Sequence, residues 1–566
     1  MKSKRTWLFL GTLAIVGCYG SEGGVADLVF LGGSVWTGED GTAVQEAVAV
    51  RDGRIVAVGT DESVEPLIGS ETRVVELEGR SLLPGFIDAH THFIDGGFKL
   101  SGVDLRDAST PEEFARRIAA FAATVPAGTW ITGGDWDHEL WGGELPRREW
   151  IDSVTPEHPV FVNRLDGHMA LANTLAIRAA GIDEGTTPTP DPSGGTIVRD
   201  LTTGEADGVF KDEAMGLVGA VLPDPSDREI DRALQAAAAH ALERGVTQVH
   251  DMGGWRGLEA YRRAYARGEL PLRVYAVVPM ASWERLRDYV AEHGRGDGWL
   301  WWGGLKAFVD GSLGSTTAWF HEPYEDEPET AGFMTTDSAA LRSWIEEADA
   351  AGLHVIVHAI GDRANDWLLD VYRDVARAHG ARDRRFRVEH AQHLSMGAPA
   401  RFAGQDVIAS MQPYHAADDG RWAEKRIGPR RIQTTYAFRT LLDAGVTLAF
   451  GSDWTVAPLD PVLGIDAAVT RRTIDGATPG GWVPAQRITL EETLRAYTSG
   501  AARAGFVEDR VGRLSEGMEA DLVVMSDDLF SLESNALVQA RVDMTVVGGR
   551  IAYERSGGEG YPAGER

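Results

Sequence analysis

Cysteine and lysine are nearly absent from this sequence of 566 residues, which contains one cysteine, Cys18, and six lysines. A single cysteine excludes a disulfide bond within the chain. Because arginine carries nearly all of the positive charge, a lysine inside an apolar strand requires a specific explanation. The 55 basic residues are outnumbered by 85 acidic ones. The resulting net charge of −30 disfavours nucleic acid or an anionic lipid surface as a partner. The preferred interpretation of this charge is that it contributes to solubility.

A long hydrophobic run is also missing at the start of the chain. Three basic residues within the first five are followed by the apolar run 7–16, which is too short to span a bilayer permanently. This run ends in Ile15-Val16-Gly17-Cys18, which resembles the lipobox of bacterial lipoproteins. In that class the signal segment is cleaved before the cysteine, which is then acylated.

We therefore expect residues 1–18 to be a lipoprotein-type signal peptide that ends at an acylated Cys18, with a polar tether at 19–25. Several acyl chains on one residue would anchor the protein stably. The protein would be exported and held on the periplasmic or cell-surface side, with this lipid as its only membrane contact. The alternative is an ordinary secretory signal with a chance cysteine.

Short apolar segments at both ends of the chain predict β-strands. Residues 47–50 and 55–58 flank an Asp-Gly pair, which is a strong hairpin signal. Similar segments at 520–525 and 544–551 lie near the other terminus. The two ends are predicted to form one small β-sandwich from residues 26–80 and 506–566.

The centre of the chain alternates apolar strands with helical segments such as 229–244 and 338–351, as parallel α/β proteins do. This pattern predicts a (β/α)₈ TIM-like barrel over residues 81–505, whose active site would lie at the carboxyl ends of the strands. The predicted strands are 85–90, 246–250, 272–277, 305–309, 353–358, 386–390, 407–411 and 446–450.

Residues from about 100 to 230 do not follow this repeat and are predicted to be an insertion between the first and second barrel strands. Extra strands are expected at 130–132 and 160–163. Loops over a barrel mouth often shape a substrate pocket, and so Trp136 and His168 are candidates for substrate contact. For Trp136, packing against the barrel is an equally good interpretation.

Two histidines lie at the end of the first predicted barrel strand, where residues 84–92 read Pro-Gly-Phe-Ile-Asp-Ala-His-Thr-His. Side chains alternate along a strand, so His90 and His92 would point the same way and could bind one metal ion. Taken alone, the pair could equally be two surface histidines.

Other candidate ligands lie at the ends of later strands. His358 and His390 each close a predicted strand, and Asp453 follows another. Lys306 is expected nearer the start or middle of its strand. His358 alone could be a core histidine and Asp453 a helix cap, but so many coincidences at one barrel mouth predict a metal site.

This pattern resembles the amidohydrolase superfamily of metal-dependent hydrolases, and within it the amidohydrolase-3 group that includes YtcJ-like proteins and N-substituted formamide deformylases. The resemblance runs from residue 26 to residue 551. The segments that carry it are 84–92, 306–318 (Lys-Ala-Phe-Val-Asp-Gly-Ser-Leu-Gly-Ser-Thr-Thr-Ala), 358–362 (His-Ala-Ile-Gly-Asp), 389–392 (Glu-His-Ala-Gln), 451–454 (Gly-Ser-Asp-Trp) and, more weakly, 512–524.

The resemblance implies a centre of one or two divalent ions, with zinc expected. In relatives with two ions, positions matching His90 and His92 bind the first ion, and those matching His358 and His390 bind the second. Asp453 would bind metal and act as general base toward metal-activated water. Lys306 matches a lysine that some members carbamylate to bridge both ions. The alternative is an unmodified lysine in an ion pair beside a single ion.

The implied activity is hydrolysis of a non-peptide C–N bond in a small amide, N-substituted formamide or cyclic amide. Asp310, within the motif that begins at Lys306, is a further candidate for substrate contact. An esterase, lactonase or deaminase would use the same site, and a noncatalytic surface binding protein is the alternative from another class. Intact candidate ligands argue against that last alternative.

Overall fold

A computed structural model describes residues 24–39, 41, 44–183 and 188–555. The predicted signal segment with Cys18 lies outside the described residues. Within the described ranges, no helix has both the length and the apolar character needed to cross a membrane.

Strands of the described residues belong to four sheets. In chain order they are β1 (Leu28–Leu31), β2 (Ser34–Val35), β3 (Ala47–Arg51), β4 (Arg54–Gly59), β5 (Arg73–Glu76), β6 (Ser81–Pro84), β7 (Phe86–Thr91), β8 (Val103–Asp104), β9 (Gly133–Trp136), β10 (Phe161–Arg164), β11 (Met169–Ala172), β12 (Gly195–Arg199), β13 (Ala206–Asp212), β14 (Val246–Asp251), β15 (Arg273–Pro279), β16 (Leu300–Phe308), β17 (His354–Ala359), β18 (Arg387–His390), β19 (Ile408–Met411), β20 (Leu448–Phe450), β21 (Leu522–Met525), β22 (Val542–Val547) and β23 (Arg550–Glu554).

The α-helices lie mainly between the strands of the central sheet. They are α1 (Asp61–Val64), α2 (Phe93–Lys99), α3 (Pro111–Ala122), α4 (Glu149–Asp152), α5 (Thr174–Ala179), α6 (Met215–Gly219), α7 (Asp227–Glu243), α8 (Gly254–Ala266), α9 (Trp283–His293), α10 (Ser338–Ala350), α11 (Asp362–His379), α12 (Ala398–Gly404), α13 (Pro413–Asp419), α14 (Ala423–Arg431), α15 (Phe438–Asp443), α16 (Pro461–Thr470), α17 (Leu490–Tyr497) and α18 (Ser499–Ala504).

The central sheet is the predicted barrel. Strands β7 and β14 to β20 pair in parallel and in chain order. Near the ends of β7 and β20, the amide of Asp453 donates to the carbonyl of His90 (2.7 Å) and the amide of His92 donates to the carbonyl of Trp454 (2.6 Å). These two bonds form a seam between the first and last strands. The predicted (β/α)₈ fold, with a strand at each of the eight predicted places, is confirmed.

Helix α7 shows why the segments between strands are helical. Ser226 caps its N-terminus and forms a capping box with Glu229. Its apolar residues recur every three or four positions, and the face that includes Ile230, Ala233 and Leu234 is buried. This face packs on α2, where Gly97 permits a close approach of the two helices.

Both chain ends contribute to one small sandwich, as predicted. One sheet has the order β4-β3-β1-β5, and the other has the order β2-β6-β21-β22-β23. Leu522 from the C-terminal part pairs with Pro84 from the N-terminal part. Buried residues of both parts, such as Phe30 and Val546, share one hydrophobic cluster.

The predicted insertion between the first two barrel strands is a six-stranded sheet of order β12-β13-β11-β10-β9-β8. The strand expected at 160–163 is present as β10. The strand expected at 130–132 instead forms at β9, and Ile131 makes only an isolated bridge to Val160. The two glycines of β9, Gly133 and Gly134, have positive φ angles, a conformation that hydrophobic patterning does not signal.

The position expected for Lys306 within its strand is wrong. Strand β16 begins at Leu300 and has nine residues, which places Lys306 in its C-terminal half. The strand extends back through Trp301 and Trp302, whose aromatic side chains are buried. Lys306 therefore lies closer to the barrel mouth than the sequence indicated.

Candidate metal centre

Three buried side chains converge at the barrel mouth. His90 lies near the end of β7, His390 ends β18, and Asp453 follows β20. One potential ligand atom from each lies within 4.8 Å of the other two. Parallel strands place their carboxyl ends at the same mouth of a barrel, so residues far apart in sequence meet there.

A buried carboxylate fixes the orientation of His90. Its Nδ1 is 2.6 Å from Oε2 of Glu389, while its Nε2 lies 3.5 Å from Oδ1 of Asp453. Glu389 also accepts hydrogen bonds from Arg387 (2.8 Å) and Ser410 (2.7 Å). Burial favours the uncharged form and lowers the pKa of His90 to about 4. The result is a neutral imidazole whose Nε2 faces the centre, as a metal ligand requires.

His92 and Asp453 complete this side of the centre. Nε2 of His92 lies 3.4 Å from Oδ1 of Asp453, and the His92 side chain is 32% exposed. Burial alone would raise the pKa of Asp453, but His90, His92 and His390 together hold that pKa well below its usual value. The aspartate is therefore ionised, which suits it to bind a cation or to accept a proton.

His358 and His390 lie side by side, with ring centroids 4.6 Å apart. Nδ1 of His390 is 2.8 Å from Oε1 of Gln412, and Nε2 of His358 is 3.0 Å from the carbonyl oxygen of Gly311. His358 thus borders the convergent trio without belonging to it. Its place in the predicted ligand set stays a prediction.

Lys306 reaches the centre from β16. Its Nζ lies 3.2 Å from Nε2 of His90 and 4.9 Å from the centroid of the Phe308 ring. Burial lowers the pKa of Lys306 to about 8. The structure therefore brings together five of the six predicted ligands, with His358 directly beside them.

A cavity with about 510 Å³ of empty space, part of it open to solvent, leads from the centre toward the insertion. Arg164 lies in its wall and is held by Asp166 (2.7 Å) and Asp137 (3.4 Å). Its lining residues come from the centre, the insertion and the loops after several barrel strands. They include Arg164, Asp166, His168, Ser312, His358, His390, Gln392, His415, Asp418, Asp419, Trp422 and Asp453.

Of the residues predicted to contact substrate, only His168 lines this cavity. Its Nδ1 is 2.7 Å from Oδ1 of Asp212. Trp136 is completely buried in the core of the insertion, and its indole N–H donates to the carbonyl of Val162 (2.8 Å). The geometry does not support substrate contact by Trp136. Its role is packing, which was the alternative interpretation.

Asp310 is likewise absent from the cavity wall. Its carboxylate accepts hydrogen bonds from the amides of Trp319 (2.7 Å), Ile360 (3.0 Å) and Gly361 (2.9 Å). Its Oδ1 is also 3.7 Å from Nε2 of His358. Asp310 therefore holds the loop after β17 in place beside His358, and the prediction that it contacts substrate is not supported.

Sequence reasoning missed His415, which lines the cavity from α13. Its Nε2 lies 4.0 Å from Oδ2 of Asp453. The position of His415 in the sequence could have indicated this, since it lies four residues after β19 ends at Met411. The segment after a barrel strand reaches the active-site mouth.

The donor set fits a divalent ion of the zinc type. Imidazole nitrogen and carboxylate oxygen are the usual ligands of such ions, and the carboxylate behind His90 provides the expected support for a ligating histidine. His90, His390 and Asp453 present the convergent ligand atoms, with His92 and Lys306 adjacent.

Comparisons with known proteins identify the family of the chain. Residues 73–553 match the model of a family described as "Amidohydrolase family". The chain is 41% identical to "Protein LONG AFTER FAR-RED 3" of Arabidopsis thaliana, over 94% of this chain and 92% of the plant protein. It is 32% identical to "Putative amidohydrolase YtcJ" of Bacillus subtilis (93% and 99%) and 29% identical to "N-substituted formamide deformylase" of Arthrobacter pascens (94% and 99%).

The fold is also similar to that of a solved structure. An uncharacterized metal-dependent hydrolase from Pyrococcus horikoshii OT3 superposes with a TM-score of 0.73 at 27% identity, over 90% of this chain and 99% of the other. The family match covers most of the chain, and the relatives match over nearly their whole lengths. The chain therefore belongs to the amidohydrolase family of metal-dependent hydrolases and is a hydrolase of carbon–nitrogen bonds.

Proposed function

We propose that the substrate is a small amide, N-substituted formamide or cyclic amide, cleaved at a non-peptide C–N bond. The observation that carries this proposal is the convergence of His90, His390 and Asp453 beside a cavity that His390 and Asp453 line. The near full-length similarity to an N-substituted formamide deformylase supports the formamide class.

We propose that the centre holds one or two divalent ions, with zinc as the expected metal. His90 and His92 would hold the first, and His358 and His390 the second, with Asp453 contacting metal as well. When bound, such ions lower the pKa of water and polarise a substrate carbonyl.

Asp453 would act as the general base. Its carboxylate is ionised and lines the cavity in which a water molecule and the substrate carbon would meet. One carboxylate oxygen would take a proton from the water molecule as the water oxygen attacks the carbonyl carbon. The same group would then return that proton to the leaving nitrogen as the C–N bond breaks.

We further propose that Lys306 is carbamylated in the active enzyme. Its buried Nζ lies beside His90, where a carbamate would place two oxygens at the centre. The neutral amine would form an N–C bond to carbon dioxide and release one proton. Labelled bicarbonate followed by carbon NMR would detect the carbamate, and an unlabelled lysine in active enzyme would contradict it.

The location of the protein is also a proposal. We propose that acylated Cys18 anchors an exported enzyme to a membrane, on the periplasmic or cell-surface side. The basis is the lipobox-like sequence that ends at Cys18.

Metal analysis followed by turnover tests the proposed function. Protein purified without chelator should contain one or two zinc-like ions, and the double variant His90→Ala/His92→Ala should lose at least one. His321→Ala provides a control, since that histidine is half exposed and pairs with Asp366. Full metal content in the double variant would refute the ligand assignment.

Metal-loaded protein should then be assayed on N-substituted formamides, acylamino acids, cyclic imides and lactones. We expect turnover among the first three classes. Activity on lactones alone would overturn the proposed substrate class.

A further inference from the structure

His415 lines the same cavity as Asp453 and has a polar side-chain atom without a hydrogen-bond partner in the described part of the chain. Its Nε2 is buried and makes no hydrogen bond within the part of the chain that the structure describes. Buried polar atoms are nearly always hydrogen-bonded, because leaving one unpaired costs about 1–3 kcal/mol. An unpaired imidazole nitrogen in a cavity wall therefore indicates a ligand that bonds to it.

The surroundings of His415 hold this nitrogen toward the site of reaction. Its ring is nearly parallel to that of His390, with 9° between the planes and 6.2 Å between the centroids. The distance of 4.0 Å from its Nε2 to Oδ2 of Asp453 is too long for a hydrogen bond. Both atoms thus remain available to the same ligand in the cavity.

The chemistry of the ring selects the kind of ligand atom. An imidazole ring can carry a hydrogen on either of its two nitrogens. The tautomer with hydrogen on Nε2 donates into the cavity. In amide hydrolysis, the acceptor that gains charge is the carbonyl oxygen, and charge develops there as Asp453 takes the proton of the attacking water. The aspartate is then no longer a competing anion beside that oxygen.

We propose that His415 is a catalytic residue whose Nε2–H donates a hydrogen bond to the substrate carbonyl oxygen and stabilises it as it becomes negative. This role rests on the proposed function. It differs from that of His168, whose Nδ1 is already bonded to Asp212. It requires no proton transfer by His415 itself.

Kinetics of three variants test the role on a substrate found with the panel above. His415→Ala removes the donor, His415→Gln places an amide N–H at a similar distance from the backbone, and His321→Gln is a surface control. We expect His415→Ala to lower kcat by about 10²–10³-fold, with little change in KM or metal content. His415→Gln should recover part of that loss, and the control should match wild type.

Binding of methylphosphonate, a tetrahedral anionic probe, provides a readout that does not need turnover. Its Kd, measured by calorimetry on metal-loaded protein, should rise in His415→Ala and recover in His415→Gln. If the wild-type enzyme cleaves no C–N bond, the proposed substrate class fails, while the comparison of methylphosphonate affinities still tests His415.

Three results would overturn the proposal. The first is near-wild-type kcat in metal-loaded His415→Ala. The second is loss of metal in that variant with activity restored by added metal, which would make His415 a positioning residue for the centre. The third is an unchanged methylphosphonate affinity in both variants.

Discussion

At the scale of single residues, Glu389 determines which nitrogen of His90 is available at the centre. Its carboxylate is fully buried, lies 2.6 Å from Nδ1 of His90 and pairs with the buried guanidinium of Arg387. Burial alone would raise the pKa of Glu389, but Arg387 and His90 lower it far below its usual value. The carboxylate therefore stays charged and keeps Nε2 of His90 directed at the ion site.

The substitution Glu389→Gln tests this arrangement. The neutral amide no longer favours a protonated Nδ1, so the affinity for zinc should fall roughly 10–100-fold. Titration of zinc into metal-free protein measures the change. Glu554→Gln, which alters an exposed ion pair, is the matched control. Equal affinities in the two variants would show that the carboxylate does not orient the ligand.

Asp453→Asn separates catalysis from metal binding. The amide keeps the shape and one oxygen but cannot take up the proton of the attacking water. We expect a folded protein that retains much of its metal and loses kcat by at least about 100-fold, with a smaller change in KM. Asp443→Asn, at an exposed position, should leave kcat unchanged. Near-wild-type turnover by metal-loaded Asp453→Asn would exclude it as the base, and His168 would be tested next.

At the scale of elements, the barrel strands were predictable because burial on both faces gives unbroken apolar runs. β17 (His-Val-Ile-Val-His-Ala) is buried throughout its length and was located to within one residue. The start of β16 was missed because glycines interrupt its run after Trp302. The shifted strand β9 depends on left-handed glycines, and the sequence does not show where the chain takes that conformation.

The site was predictable only in part, for a related reason. His90 and His390 lie near or at the ends of strands and Asp453 follows one, so they reach the barrel mouth by a rule that sequence can apply. His415 lies on a helix after a strand, where the direction of its side chain depends on how α13 packs. Trp136 sits in a sheet of the insertion, and nothing in its local pattern distinguishes a buried tryptophan from one that lines a cavity.

The contact between α2 and α7 depends on one glycine. A Cβ atom at Gly97 would clash with the backbone carbonyl of Ala233. Gly97→Ala should therefore destabilise the protein by about 1–3 kcal/mol, since the helices must move apart. Gly216→Ala provides a control, because a Cβ there would meet open space. Denaturant unfolding measures both, and equal stabilities would contradict the tight helix contact.

At the scale of the whole molecule, a buried ion pair joins the barrel to the sandwich. Arg273 of β15 donates to both carboxylate oxygens of Asp521 (2.7 and 3.0 Å), which immediately precedes β21. Both side chains are at least 97% buried. Removing Asp521 leaves the buried guanidinium with only a longer contact to Glu519 (3.4 Å), in a medium that solvates its charge poorly.

Asp521→Ala should therefore lower the free energy of unfolding by about 3–5 kcal/mol. The matched control is Glu259→Ala, whose pair with Arg285 is more than half exposed. That change should cost about 0–1 kcal/mol. Thermal unfolding followed by circular dichroism distinguishes the two, and similar Tm values would show that the buried pair does not hold the sandwich to the barrel.

Cys18→Ala tests the proposed anchor in the intact cell. Without an acylation site, the protein should leave the washed membrane fraction, as a soluble or an uncleaved form. Ser21→Ala, three residues further on, is a control that keeps the cysteine. Normal cleavage with an unchanged membrane fraction in Cys18→Ala would rule out a lipid anchor at this residue.

The seam between β7 and β20 also has a consequence for biosynthesis. The backbone bonds that close the barrel join His90 and His92 to Asp453 and Trp454. These two residues follow β20, the last barrel strand to be translated. A nascent chain therefore carries its first histidines long before it has Asp453, the proposed general base. Chains that terminate before Asp453 would be inactive, and activity would begin only after the ribosome has passed Trp454.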